Sequence, residues 1–460
     1  MSGLQSDALG LYISIPFCRS KCTYCNFASG VYPATEHARY VERLIEDMAA
    51  AGEWAARMGV DLPRRVNSVY LGGGTPSLLS PELLARLFAA MRAEFNLEPD
   101  AEITVECAPG QLADETLEAL TAAGVNRVSL GVQSFIDREA QVSGRLHSRA
   151  VVEEDLRRLR WAGIANLNVD LIAGLAGQTF ASWEASLAAL ADSGVPHASV
   201  YMLEVDEDSR LGRELLAGGA RFHAGLVPTD DAIAQMYSMA IERLDAAGLG
   251  QYEISNFCRP GFASRHNLRY WQRRPYLGLG LDASSMLRDA RGVKRAEECL
   301  RAASRAVGQG FSPDMRQAES TGALAPEVRS SADSPSVPTL SAVHRKGYVL
   351  RSKTTDELGA FLEGPEAVET AWLSPERQHE EAWFLGLRLT SGVEVAALER
   401  EFGEEMVARA MKAVGRLVED GLLISDGKTI RLTPRGQLLS NDVFQEFLGP
   451  GAEESLETQP

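Results

Sequence analysis

A chain of 460 residues, 45% hydrophobic and 24% charged, carries enough apolar material for one large core and a smaller second unit. Its formal net charge of -17 leaves no basic excess for a phosphate-binding face, so nucleic acid is not an expected partner. Residues 1–10 have no basic start and no long apolar run, and no stretch reaches the apolar length of a membrane span. With six cysteines, three of them clustered, the chain suits a reducing cytoplasm better than a disulfide framework.

From the N-terminus to about residue 280, short β-like runs alternate with amphipathic helical stretches, the pattern of a parallel α/β fold. The strands are expected at Leu11–Ile15, Val66–Leu71, Glu102–Glu106, Arg127–Gly131, Asn166–Leu171 and His197–Leu203. The helices are expected at Thr35–Arg57, Pro81–Phe95, Ala113–Ala123, Ala150–Trp161 and Phe180–Ser193, with Gly124 and Gly163 as stop signals. Such units predict a partial (β/α)6 barrel, open on one side. In barrels of this type, sites collect at the C-terminal ends of the strands. A cysteine loop follows the first strand and Gly72-Gly-Gly-Thr-Pro76 the second. Glu106, Gln133, Asp170, Tyr201 and Glu204 fall at or near the ends of later strands, which points to one active site on one rim.

Beyond about residue 291 the texture changes. Ser312–Ser341 is rich in Ser, Pro, Ala and Gly, and reads either as a flexible insertion or as an ordinary long surface loop. Near Ser374 a smaller unit begins, with helices expected at Glu376–Leu389, Val395–Phe402 and Glu405–Asp420 and a hairpin at Leu422–Ile424 and Thr429–Leu432. That order resembles a winged-helix domain, but its helix Glu405–Asp420 mixes acids with few bases, so a lid or packing role is expected rather than DNA reading. The expected division is a barrel over 1–290, an insertion over 291–345, a connecting segment over 346–373 and a C-terminal winged-helix-like domain over 374–460.

Chemistry concentrates in Cys18, Cys22 and Cys25. Thiolates hold iron–sulfur clusters, and three ligands on one loop leave one iron of a [4Fe-4S] cubane open to a small molecule. Three of four zinc ligands is the competing reading, although Cys107, Cys258 and Cys299 are scattered singly. The C-x3-C-x2-C spacing resembles that of the radical S-adenosylmethionine (SAM) superfamily. Three glycines at 72–74 are costly for a mere turn and suit close backbone approach to a ligand. The polar groups of Glu106, Gln133, Arg145 and Asp170 suit a zwitterionic nucleoside: carboxylates accept from ribose hydroxyls, and an arginine forks onto a carboxylate.

Longer motifs narrow the resemblance. Tyr12-Ile-Ser-Ile-Pro-Phe-Cys18, Gly72-Gly-Gly-Thr-Pro-Ser77, Val128-Ser-Leu-Gly-Val-Gln-Ser-Phe135 and Asn168-Val-Asp-Leu-Ile-Ala-Gly174 resemble the oxygen-independent coproporphyrinogen III oxidase group of radical SAM proteins. The resemblance implies a (β/α)6 radical SAM barrel followed by a small C-terminal domain. It implies that Tyr12, Gly73, Gly74, Thr75 and Glu106 contact the cluster-bound SAM. Tyr24, Gln133, Arg145 and Asp170 match residues that hold a second SAM in the oxidase. Where the oxidase has a fourth cysteine, this chain has Phe27. His266-Asn-Leu-Arg-Tyr-Trp271 instead resembles a motif of the HemW-like heme chaperone branch, associated there with heme binding, which makes His266, Tyr270 and Trp271 heme candidates. An imidazole ligates heme iron and aromatic rings pack on a porphyrin face. Departures from the family pattern fall at Ser14, Asn26, Ala176, Asp282 and Ser284.

The leading expectation is a HemW-like chaperone that binds a [4Fe-4S] cluster, SAM and heme, draws on a small reductant protein, and passes heme to an apo-cytochrome or another heme-accepting protein. The alternative is porphyrin biosynthesis by oxidative decarboxylation of coproporphyrinogen III, which Phe27 disfavours. A third is a radical SAM enzyme acting on another substrate, such as a methyltransferase.

Overall fold

The structure, a computed structural model, describes residues 8–207, 209–289, 347–364 and 368–449. The expected insertion over 291–345 lies outside the described residues, as does Cys299.

Six strands run parallel and lie side by side in chain order: β1 (Leu9–Ile15), β2 (Arg65–Gly73), β3 (Asn96–Cys107), β4 (Arg127–Gln133), β5 (Asn166–Ala173) and β6 (His197–Met202). In β1 every residue but Tyr12 is buried, as a strand covered on both faces requires. Between the strands run α1 (Ala34–Met58), α2 (Pro81–Glu94), α3 (Asp114–Ala122), α4 (Asp137–Val142), α5 (Arg149–Trp161) and α6 (Phe180–Ser193). The first of these turns Tyr40, Val41, Leu44, Met48, Ala51 and Ala55 inward, a stripe at helical spacing. Ser80 caps α2 by accepting from the Leu83 N–H, and Thr179 and Ser182 close a reciprocal cap on α6.

The sheet then extends at both edges. After α7 (Arg210–Leu216) and α8 (Asp230–Ala246), strands β7 (Gly250–Glu253) and β8 (Asn256–Cys258) add antiparallel beside β6. A short helix follows, α9 (Arg265–Trp271). On the other side β9 (Tyr276–Leu279) pairs parallel with β1, and β10 (Ser284–Arg288) continues antiparallel. Residues expected to be a mere connection supply β11 (Val349–Thr354), α10 (Leu358–Glu363) and β12 (Val368–Leu373), which bring the sheet to twelve strands.

Helix α9 closes the barrel at the N-terminal ends of the strands. Glu102 on β3 accepts from the backbone N–H groups of Arg265 and His266, each at 3.0 Å, and so caps it. The buried Arg269 reaches the Pro275 and Ala8 carbonyls at 2.8 and 2.7 Å.

The C-terminal unit packs under this floor. It comprises α11 (Pro375–Leu387), β13 (Val393–Glu394), α12 (Val395–Phe402), α13 (Glu404–Glu419), β14 (Leu423–Ser425), β15 (Thr429–Leu432), α14 (Pro434–Leu438) and α15 (Ser440–Gln445). Three strands in the order β13-β15-β14 form its sheet, one more than the expected hairpin. Its core, centred on Trp383, also takes in Ile254 and the flank of Trp271. The Arg388 guanidinium lies 4.3 Å over the Trp271 ring, and Ile254 N–H donates to the Arg388 carbonyl at 3.1 Å. The unit therefore lies at the end of the barrel away from the cysteine loop, in a packing position and not over that loop. Among the described residues no helix is long and apolar enough to cross a membrane.

Candidate cluster and cofactor site

The loop carrying Cys18, Cys22 and Cys25 leaves the C-terminal end of β1 and is fastened at several points. Cys18 N–H donates to the Gly30 carbonyl and Gly30 N–H to the Pro16 carbonyl, both at 2.8 Å, which closes the loop at its base. Thr23 N–H reaches the Ser143 carbonyl at 3.1 Å, and the Ser20 hydroxyl reaches the Gly144 carbonyl at 3.1 Å. Lys21 donates to the Ser29 carbonyl at 2.9 Å. Burial pushes the Cys18 thiol pKa up, and the neighbouring Cys25 and Cys22 sulfurs push the same way. A cationic iron centre removes that penalty, because metal-bound thiols are held deprotonated. Among the described residues, no group of three or more His, Cys, Asp or Glu side chains converges as a single metal ion would need. A cubane distributes its thiolates over separate irons, so its fit here rests on three half-buried sulfurs on one pinned loop facing one cavity.

The glycine strap 72–74 braces this loop. Gly74 N–H donates to the Ile15 carbonyl at 2.9 Å and Thr75 N–H to the Phe17 carbonyl at 2.8 Å. A Cβ on Gly74 would stand 2.8 Å from both of those carbonyl oxygens. Gly73 has φ +97°, where a side chain is strained, and a Cβ there would meet Ser14 Oγ at 2.8 Å. The glycines thus serve a close backbone contact within the chain, while Gly73 and Gly74 still present their other edge to the cavity.

That cavity has a volume of about 540 Å3 and is lined by the three cysteines, Tyr24, Thr75, Glu106, Gln133, Arg145 and Asp170, with Tyr201 and Glu204 at its mouth. Phe27, 55% exposed, also lines it. Glu106 accepts from the Tyr70 hydroxyl at 2.8 Å, and burial pushes its pKa up to about 7 against that hydrogen bond. Asp170 is held by Asn168 Nδ2 at 2.7 Å and by the Ser129 hydroxyl at 3.1 Å, and burial raises its pKa too. Arg145 donates to the Tyr24 hydroxyl at 3.1 Å. Four polar groups of the lining lack partners, Gln111 Oε1 and Arg127 Nε among them. Gln133 Oε1 and Arg145 Nε are buried with no hydrogen bond, and Gln133 sits at φ +68°, uncommon for a residue with a side chain. Unmet donors and acceptors beside three thiols suit a polar ligand that completes them.

Tyr12, His266, Tyr270 and Trp271 are not part of this lining. Tyr12 stacks on Tyr70 with ring centroids 6.2 Å apart, one ring behind the cavity wall. His266 is 1% exposed. Its Nδ1 lies 3.1 Å from the Ser68 hydroxyl and its Nε2 2.9 Å from the Tyr270 hydroxyl, so both ring nitrogens have partners. Burial drives its pKa down to about 3, with the Arg269 and Arg127 charges adding to the effect, so the ring is neutral. Tyr270 packs edge-on to Tyr276 at 4.6 Å, and Trp271 belongs to the join with the C-terminal unit.

Sequence reasoning passed over Tyr70, Ser129, Asn168 and Ser199, all of which line the cavity. Asn168 Nδ2 reaches Ser129 Oγ at 2.7 Å and Ser199 Oγ at 3.0 Å, a polar ladder across three strands. Their signal was the polar half of each strand's alternation, which a parallel strand covered by helices does not lead one to expect inside a barrel.

Residues 12–190 match the radical SAM superfamily, and residues 373–439 match the HemN C-terminal domain. The protein called heme chaperone HemW of Lactococcus lactis subsp. lactis (strain IL1403) is 30% identical over 437 residues, covering 95% of this chain and 96% of its own. The chain belongs to the HemW family. The heme chaperone HemW of Mycobacterium tuberculosis (strain ATCC 25618 / H37Rv) is 31% identical over 452 residues, covering 98% of this chain and 97% of its own. Among solved structures, coproporphyrinogen III oxidase (HemN) from Escherichia coli, described as a radical SAM enzyme, superposes with a TM-score of 0.70. It covers 96% of this chain and 90% of its own at 20% identity, a likeness of fold. Family membership thus agrees with the expected radical SAM fold and its HemW-like branch, and it implies a [4Fe-4S] cluster and SAM.

Proposed function

We propose that this protein is a heme chaperone that holds a [4Fe-4S] cluster and SAM, takes up heme, and hands it to an apo-cytochrome or another heme-accepting protein in the cytoplasm, with a small reductant protein serving the cluster. The observation that carries the reading is the meeting of three loop thiols with the unpartnered groups of Gln133 and Arg145 in one cavity.

In this reading Cys18, Cys22 and Cys25 hold the cluster. Gly73, Gly74 and Thr75 offer backbone edges to the SAM amino group, and Glu106 accepts from it or from ribose. Tyr12 supports that wall through Tyr70. Tyr24, Gln133, Arg145 and Asp170 hold the far side of the ligand, and Arg145 is the group able to fork onto a carboxylate. When bound, the cluster supplies the electron that cleaves SAM; the barrel supplies position and excludes water. Heme contact is assigned to His266, Tyr270 and Trp271. The neutral imidazole that burial enforces on His266 is the form that ligates iron. To reach iron, His266 must release Ser68 or Tyr270, so uptake involves a shift of α9.

The test reconstitutes the full chain anaerobically, then offers heme in one vessel and coproporphyrinogen III with SAM and reductant in another. Expected results are a cluster spectrum that changes when SAM is added, heme uptake that weakens in His266→Ala, and no porphyrin turnover. Decarboxylated product would replace the chaperone reading with the oxidase one. Heme uptake unchanged in His266→Ala would remove His266 from the site.

A further inference from the structure

The cavity continues below the level assigned to SAM. On its floor stands Arg127, the first residue of β4, 1% exposed and lining the cavity together with Asn267 of α9. Its Nε has no hydrogen-bond partner, and no ion pair reaches its guanidinium among the described residues. A buried, unpaired guanidinium is costly, and native chains keep one where something else completes it.

Its neighbours share the condition. Strand register sets Thr104 of β3 and Asn166 of β5 directly beside Arg127. The Thr104 hydroxyl, fully buried, has no partner, and neither has Asn166 Oδ1. Three adjacent strands thus present unmet polar groups in one layer. Of the carboxylates nearby, Glu102 caps α9 and Glu106 holds Tyr70, while Asp170 feels the Arg127 charge but accepts its hydrogen bonds from Asn168 and Ser129 and makes no ion pair with Arg127. The nearby imidazoles carry no charge to offer, since burial holds His197 and His266 neutral. An unoccupied guanidinium that lines the cavity, with the unmet Thr104 hydroxyl beside it in register but outside the lining, matches the two oxygens of a carboxylate.

We propose that Arg127, with Thr104, anchors a carboxylate of a ligand entering from the cysteine side. The anchor lies one layer below Glu106, which pairs with Ser129 two residues up β4. That is roughly 7 Å at the rise of a strand, so carbons a few bonds from the anchored carboxylate lie at the level of the SAM wall. Two sources carry this chemistry, a propionate arm of a tetrapyrrole and a small free carboxylate. Only the first rests on the heme reading above.

Full-length protein, anaerobically reconstituted, would be tested in two arms. One compares heme with heme dimethyl ester by spectroscopic titration. The other compares thermal shifts with propionate and propionamide at constant ionic strength. The wild type is expected to favour the acid over its uncharged counterpart roughly tenfold or more in at least one arm. Arg127→Gln should reduce the acid to the level of the uncharged partner while leaving the latter unchanged, and Thr104→Val, close in shape, should weaken the acid alone by a few-fold. If Arg127→Gln fails to fold, Thr104→Val decides. An acid preference that survives substitution, or none in either arm of the wild type, overturns the anchor. Failure of heme to bind at all would count against the chaperone reading, and the propionate arm would still decide the floor.

Discussion

Glu106→Gln probes the wall of the cavity where its electrostatics are most exposed to test. Burial opposes the ionisation of Glu106, and so does the Asp170 charge nearby, while the Tyr70 hydroxyl, the Gly73 backbone and the Arg145 charge offset this only in part. The Glu106 pKa rises from the ordinary 4.5 to about 7. An acid whose pKa is higher folded than unfolded stabilises the fold fully below the unfolded value and loses that contribution as pH rises through the folded one. The window is therefore about pH 4.5 to 7. Each unit corresponds to about 1.4 kcal/mol, so this one carboxyl removes about 3 kcal/mol of stability between pH 4.5 and pH 8. Glutamine keeps the shape and cannot ionise. Urea unfolding of the cluster-free protein at a series of pH values should give a wild-type curve that falls relative to the variant across that window and runs parallel to it above. A constant difference between the two from pH 4.5 to 8 would refute the claim that a carboxylate whose burial outweighs its partners stands in the wall.

Other expected outcomes follow from packing. Gly74→Ala drives a methyl into the Ile15 and Phe17 carbonyls and breaks two backbone hydrogen bonds; it should cost about 3 kcal/mol and lower cluster retention, read by the urea midpoint and by iron content. His266→Ala strands the Tyr270 hydroxyl, leaves Ser68 only its Arg269 partner and opens a hole; a loss of about 2–4 kcal/mol is expected in the cluster-free protein, and an unchanged midpoint would contradict the hydrogen-bonded placement. Trp271→Ala removes the ring that Arg388 covers; about 3–5 kcal/mol is expected, with limited proteolysis cutting the C-terminal unit free before the barrel unfolds.

Most of the barrel was legible because its strands are apolar runs bounded by glycine. Helices α1 and α6 were placed almost to the residue, since a clear inward stripe or a strong cap marks their ends. The rim was legible for the same reason: once a strand's C-terminal end is located, the residue that closes it is located too, as at Glu106. What failed to register was shorter or contextual. Strands β7, β8 and β9 are three or four residues long and exist because a neighbouring edge receives them. Strands β11 and β12 were read as connection because each is only six residues, next to a long low-complexity stretch. Arg127 was read as the start of a strand, and nothing along the sequence says that a charged residue there turns inward. The motif marks His266 as a heme candidate, while its hydrogen bond to Ser68, 198 positions away, becomes visible only in three dimensions.

Helix α9 belongs to two bodies at once, since its first turn is stoppered onto Glu102 and its last residue is a keystone of the C-terminal core. The tail of the chain is consequently not a detachable appendage. Cutting it away would strip Trp271 and Ile254 of their cover and loosen the plug beneath the barrel, so a shortened protein should leak water into the chamber that the cysteine loop overlooks, even though every residue of that loop would still be there.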